Sequence, residues 1–136
     1  MHLGIDFGTS YTKLGYINKG RFINLAGPDA QIPSLAVYLP NQGKLYFGKI
    51  ARRLNEPGAA PARFFKLELK RNPDFRLGEF TLTDIIKEYF MFLRDEYIEP
   101  GGEKIDSVTV SVPNYFGLRA RSILLQAVST AFAVPE

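Results

Sequence analysis

The first sixteen residues, MHLGIDFGTSYTKLGY, constrain this chain more than any other stretch. Leu3, Gly4 and Ile5, then Leu14, Tyr16 and Ile17, read as two short strands, and the turn between them carries Asp6, Gly8, Thr9 and Ser10. Gly8 lets the backbone approach a ligand closely, so the amides from Gly8 to Tyr11 can converge on phosphate oxygens as an anion nest. Thr9 and Ser10 add side-chain donors. Asp6, ending the first strand, is placed to hold a hydrated Mg²⁺, which keeps several waters and takes one or two carboxylates plus substrate phosphates. The same residue types also build ordinary turns, so a plain hairpin remains an alternative at this point.

Composition narrows the chemistry further. A chain of 136 residues is one domain or part of one, and 46% hydrophobic content makes it globular. No apolar run approaches the roughly eighteen residues of a membrane helix, and no signal peptide is evident, so a cytoplasmic location is expected. With no Cys and a single His, at position 2, there is no disulfide framework, thiolate site, His-based zinc site or Ser-His pair. Any metal would be a hard cation on oxygen ligands. From Lys44 to Arg76 nine basic residues face three acidic ones, so this segment carries +6 of a net +3 and the remainder is −3. Such a lobe can attract a nucleotide or a polyanion, or be a solvated face; no nucleic-acid-binding module accompanies it.

The remaining pattern gives an element order. Asn18, Lys19 and Gly20 turn the chain into a third strand, Arg21 to Ala26, completing an antiparallel meander that Gly27, Pro28 and Asp29 end. Residues 30–78 are irregular, with strand-like Leu35 to Leu39 and Lys44 to Phe47 and a Gly/Ala/Pro-rich stretch from Pro57 to Pro61. They read as an inserted subdomain within a core made of 1–29 and 79–136. Leu82, Ile85, Ile86, Tyr89, Phe90, Leu93 and Tyr97 then recur at helical spacing, with Thr81 or Thr83 as N-cap and Pro100-Gly101-Gly102 as the stop. Ile105 to Val112 alternates as a strand ended by Pro113. Gly117 to Ala133 is a second helix with Ile123, Leu124, Ala127, Val128 and Ala131 on one face.

Four segments in this order resemble the nucleotide-binding domain of DnaK-type heat-shock chaperones, a branch of the actin-like ATPases. They are GIDFGTSY at 4–11, IPSLAVY at 32–38, FKLELKR at 65–71 and DSVTVSVPNYFGLRAR at 106–121. The resemblance spans nearly the whole chain, with a shorter insertion and Lys70 where the family commonly has Gly. It implies an α/β fold, a ribonuclease H-like (actin-like ATPase) half-domain with a mixed sheet, incomplete at the C-terminus, plus the small inserted subdomain. It further implies ATP or ADP and Mg²⁺ as ligands. Asp6 resembles the residue holding the water shell of Mg²⁺, and Gly8, Thr9, Ser10 and Tyr11 resemble the first phosphate loop. Lys66 matches the Lys that contacts the γ-phosphate and attacking water, where a cation stabilises developing charge. Pro113 and Arg121 resemble the pair that relays nucleotide state to a peptide-binding domain. In a full-length chaperone the partners would be unfolded peptides and co-chaperones. Read by themselves, Lys66 fits a charged surface, Pro113 a strand end and Arg121 a solvated helix position.

Lys13 departs from the chaperone pattern. It matches a Lys that filament-forming actins place against the phosphates, which keeps segregation or cell-shape ATPases as a second reading; an outward lysine is its plain alternative. A non-catalytic adaptor could use the same lobe. A nuclease of this fold would need further inward carboxylates and has no use for the Gly-Thr-Ser turn. Ribonuclease H-like halves also need a fifth strand and a third helix, so the chain is expected to be part of a longer protein. Alone it is expected to bind ATP weakly, hydrolyse it negligibly and self-associate through the exposed edge at Val108 to Val112.

Overall fold

Strand alternation sets the first layer. The structure, a computed structural model, describes residues 1–8, 10–27, 30–54, 72, 74–102, 104–111 and 116–135, together with the backbone of 60–63. In β1 (His2–Phe7) Leu3, Ile5 and Phe7 are buried while His2 and Asp6 are exposed, the period of two that a strand with one covered face requires. β2 (Tyr11–Asn18) continues it, burying Thr12 and Leu14 and exposing Tyr11 and Lys13. Lys19 and Gly20, at φ 52° and 75°, make the two-residue hairpin turn into β3 (Arg21–Asn24). The strand ends there because the Asn24 carboxamide oxygen accepts from the Ala26 N–H at 3.0 Å, a side-chain turn that replaces the ladder.

The chain then crosses between two sheets. β4 (Ile32–Pro33) pairs with the start of β2, while β5 (Leu35–Leu39) lies between β6 (Lys44–Phe47) and β7 (Ala60–Arg63) in a separate antiparallel sheet. Ser34 is the single residue at the crossing. α1 (Gly48–Arg53) packs Ala51 against Leu35, Val37 and Leu39 in a small core of its own.

A short hairpin of β8 (Arg76–Leu77) and β9 (Phe80–Thr81) leads into α2 (Leu82–Leu93). Thr81 caps it: its Oγ1 accepts from the Asp84 N–H at 3.2 Å, and the Asp84 carboxylate accepts from the Thr81 N–H at 3.0 Å. That backbone bond holds the Asp84 carboxyl below its ordinary value of 3.8. A depressed folded value adds stability above 3.8 that is lost as pH falls through the folded value. Asp84→Ala should therefore cost about 1 kcal/mol at neutral pH, with the gap to wild type closing in acid, as urea titrations at the two pH values would read.

The expected helix through Tyr97 changes form after Leu93. Arg94–Ile98 is a π-turn and Glu99–Gly101 a 3-10 turn. The wider turn admits one extra residue, so the next core position moves from Tyr97, half-buried, to Ile98, buried. Arg94 ties this end to the next helix, donating to the Ala131 carbonyl at 2.6 Å.

β10 (Ser107–Val110), shorter than the sequence pattern suggested, runs parallel to β1 and gives the sheet its mixed character, in the order β10-β1-β2-β3. α3 (Leu118–Phe132) follows and closes in a left-handed Ala133. The protein is thus a mixed α/β molecule whose main sheet is covered on one face by α2 and α3. Leu3, Ile5, Phe7 and Leu14 meet Ile86, Tyr89, Phe90, Leu93, Leu124 and Phe132 between the layers. Among the described residues no helix is long and apolar enough to cross a membrane.

Candidate functional site

Three strands converge on Asp6. It is the last exposed residue of β1, it sits opposite Lys13 in the β1–β2 register, and its Oδ1 accepts from Ser111 Oγ at 2.9 Å. Ser111 is itself anchored, its N–H donating to the Ile5 carbonyl at 2.9 Å. The carboxylate is therefore held at the sheet's end while remaining open to solvent.

The turn that follows is closed tightly. The Gly8 N–H donates to the Asp6 carbonyl at 3.1 Å, and a Cβ on Gly8 would lie 2.3 Å from the Tyr11 carbonyl oxygen, so no other residue fits without moving backbone. This differs from an anion nest beginning at Gly8. That amide is already committed, and Gly8 supplies close approach rather than a donor.

Ser34 captures both carbonyls of the turn that the structure describes. Its N–H donates to the Ser10 carbonyl at 2.9 Å and its Oγ to the Gly8 carbonyl at 2.9 Å. Because the trans peptide points C=O and N–H in opposite directions, drawing the Ser10 carbonyl toward Ser34 turns the Tyr11 N–H away from it. Beneath Ser34 lie Thr12 Oγ1 at 2.8 Å and, 2.7 Å beyond, the Tyr89 hydroxyl. Burial pushes the Tyr89 phenol well above the ordinary tyrosine range, so it stays protonated and able to donate.

The outer rim is basic. The Arg52 guanidinium lies 5.6 Å from the centre of the Tyr11 ring, a cation–π contact, and Lys13 projects from the same exposed strand face as Tyr11. Neither cation has a carboxylate within ion-pair distance among the described residues. One carboxylate with a hydroxyl beside it suits a cation held through its water shell and substrate phosphates, rather than an ion ligated wholly by protein. No group of three or more His, Asp or Glu side chains gathers among the described residues.

No protein-family model matches this chain, and no curated protein matches it.

The structure brings Asp6, Gly8, Ser10, Tyr11 and Lys13 to one end of the main sheet. Thr9, Lys66 and Pro113 lie outside the described residues. Arg121 is exposed at the start of α3, where its Nε donates to the Phe116 carbonyl at 3.1 Å and so closes the turn entering its own helix. Sequence reasoning missed Ser111, Arg52 and the Ser34–Thr12–Tyr89 set. Parity could have found Thr12, which falls in step with inward Leu14. Nothing in the helical spacing separates Tyr89 from its apolar neighbours.

The same open sheet face holds a groove of about 530 Å³ at the other end of β1, lined by His2, Gly4, Gly15, Ile17 and Phe22. The His2 ring there contacts the Ser107 hydroxyl and, at 2.8 Å, Thr109 Oγ1.

Proposed function

We propose that this chain is the first lobe of an actin-like ATPase nucleotide site, of the DnaK-type chaperone branch, and that the turn from Asp6 to Tyr11 is its first phosphate loop. One observation carries the reading: the Gly8 and Ser10 carbonyls are drawn inward onto Ser34, while the Asp6, Lys13 and Arg52 side chains stand exposed. Inward carbonyls remove repulsion toward an anion, and two exposed cations with no carboxylate within ion-pair distance among the described residues attract one. A ribonuclease H-like half-domain is supported by an antiparallel β1-β2-β3 meander followed by a helix, a strand parallel to β1 and another helix. A cytoplasmic location belongs to the same proposal.

In this role Asp6 would hold a hydrated Mg²⁺ ion, and Lys13 and Arg52 would meet phosphate oxygens. Bound there, Mg²⁺ supplies neutralisation of the phosphate charge. Lys66 would add the cation for phosphoryl transfer. The Pro113-Asn114-Tyr115-Phe116 segment and Arg121 favour the chaperone branch, with unfolded peptides and co-chaperones as its partners. The resemblance of Lys13 to the phosphate-facing Lys of filament-forming actins supports a filament-forming ATPase as the second reading, and a non-catalytic adaptor would keep the fold without the nucleotide.

Thermal unfolding with Mg-ATP tests the proposal. A millimolar site at about 10 mM ligand adds about 1.4 kcal/mol, a rise of about 3–6 °C for a chain of this size. Asp6→Ala, or EDTA, should remove most of that rise. An equal rise with and without Mg²⁺, or none at all, contradicts the reading.

β10 lies at the end of the sheet order, and Val108, Thr109, Val110 and Ser111 carry no charge. Pairing between copies through this edge is expected, and Thr109→Lys, at an exposed position, should oppose it. Sedimentation should show association that rises with concentration and falls in the variant; a strictly monomeric wild type would refute it.

A further inference from the structure

Thr12 and Ser34, 0% and 2% exposed, are the buried polar residues of the described chain, and both belong to one hydrogen-bonded set with the fully buried Tyr89 hydroxyl. The set has a direction. Tyr89 Oη donates to Thr12 Oγ1 at 2.7 Å, with the Pro33 carbonyl a more distant acceptor at 3.4 Å, and Ser34 Oγ donates to the Gly8 carbonyl, so the proton left for the Thr12–Ser34 contact is that of Thr12. Three aligned hydroxyls thus run from α2 through β2 to the β4–β5 crossing and end on the turn, each polarising the next. The far end is rigid. The Tyr89 ring stacks on Phe7 at 5.8 Å and meets Phe47 at 5.7 Å and Phe92 at 5.9 Å.

Stability alone does not call for this arrangement. Replacing bonded buried hydroxyls by apolar groups of the same shape is often nearly neutral, because the desolvation cost disappears along with the bond. What apolar groups cannot do is hold a carbonyl in place. Here the last hydroxyl holds the Gly8 carbonyl, and the same residue's N–H holds that of Ser10.

We propose that Tyr89, Thr12 and Ser34 are positioning residues that keep the turn after β1 in its phosphate-accepting shape, an inference that rests on the phosphate-loop reading above. They touch no ligand. Their effect passes through the two carbonyls of the turn.

The test compares wild type with Thr12→Val/Tyr89→Phe, which keeps both shapes and removes two hydroxyls, and with Thr12→Ser, which keeps the hydroxyl. Three quantities are read in each: the melting temperature, amide exchange at Gly8 and Ser34 without nucleotide, and Mg-ATP affinity by NMR titration. The double variant should melt within a few degrees of wild type, yet exchange about tenfold faster at those amides and bind Mg-ATP about tenfold more weakly. Thr12→Ser should restore both. Wild-type exchange in the double variant, beside intact Mg-ATP binding, overturns the relay alone. If the double variant unfolds, Tyr89→Phe by itself decides: unchanged local exchange and affinity make the set plain structural support and also overturn the relay. Failure of wild type itself to bind Mg-ATP overturns the phosphate reading, and the positioning role with it.

Discussion

Phe90→Ala is expected to lower the free energy of unfolding by about 4 kcal/mol. Phe90 is fully buried, and its ring meets Phe7 of β1 at 5.4 Å, Tyr89 at 6.0 Å and Phe132 of α3 at 6.3 Å. It therefore joins the sheet to both covering helices at one point. Its ring neighbours Phe7, Tyr89 and Phe132 each belong to a strand or helix packed in the same core, which limits their collapse into the space left. Total stability for a chain of this length is roughly 7–20 kcal/mol, so a loss of this size is a large share of it. A guanidinium denaturation midpoint reads the change, and a loss under about 1 kcal/mol would mean that the sheet and helices do not meet at Phe90.

Gly15→Ala should cost about 2–3 kcal/mol, a large effect for one added carbon. A Cβ at this position would lie 2.1 Å from the Ile23 carbonyl oxygen and 2.7 Å from Phe22 Cζ. The carbonyl belongs to the backbone of β3, so relief requires the strands to part, while the Phe22 ring, half out in solvent, would be pushed off the sheet. Gly4→Ala provides the control. Among the described residues its Cβ would meet only the Gly15 carbonyl oxygen, at 3.7 Å, an ordinary contact, and its cost should stay within about 0.5 kcal/mol. Equal costs at the two glycines would contradict the close approach of β2 and β3. The Phe22 ring proton shifts should move in the Gly15 variant and remain in the Gly4 variant.

Much of the architecture was legible because it follows from periodicity. Leu3, Ile5 and Phe7 alternate, Leu82 to Leu93 recurs at helical spacing, and each pattern produced the element it implies. The helix lost its form where spacing no longer governed: a π-turn exchanged Tyr97 for Ile98 in the core, and one-residue insertions of that kind leave no mark on an apolar stripe. The candidate site was legible only as its exposed half. Asp6, Gly8, Ser10, Tyr11 and Lys13 are contiguous, so their types and order could be read together. Ser34 reaches the same turn from 24 residues beyond Ser10, Tyr89 backs it through Thr12 from 79 residues beyond Ser10, and Arg52 approaches Tyr11 from a helix in another sheet's layer. Contacts of that range depend on how the two sheets join at Ser34, which no local pattern encodes. Ser111 is similar, since its bond to Asp6 exists only because β10 runs parallel to β1 in one register.

The proposed phosphate site is the Asp6 to Tyr11 turn. The most direct measurement is a titration of ¹⁵N-labelled protein with Mg-ATP, mapping amide shifts onto the sheet. Saturable shifts are expected at Gly8, Ser10, Tyr11 and Lys13 and at the Arg52 side chain, with the groove at His2, Ile17 and Phe22 undisturbed. Saturable shifts confined to that groove, or no shifts at the turn at millimolar Mg-ATP, would contradict it.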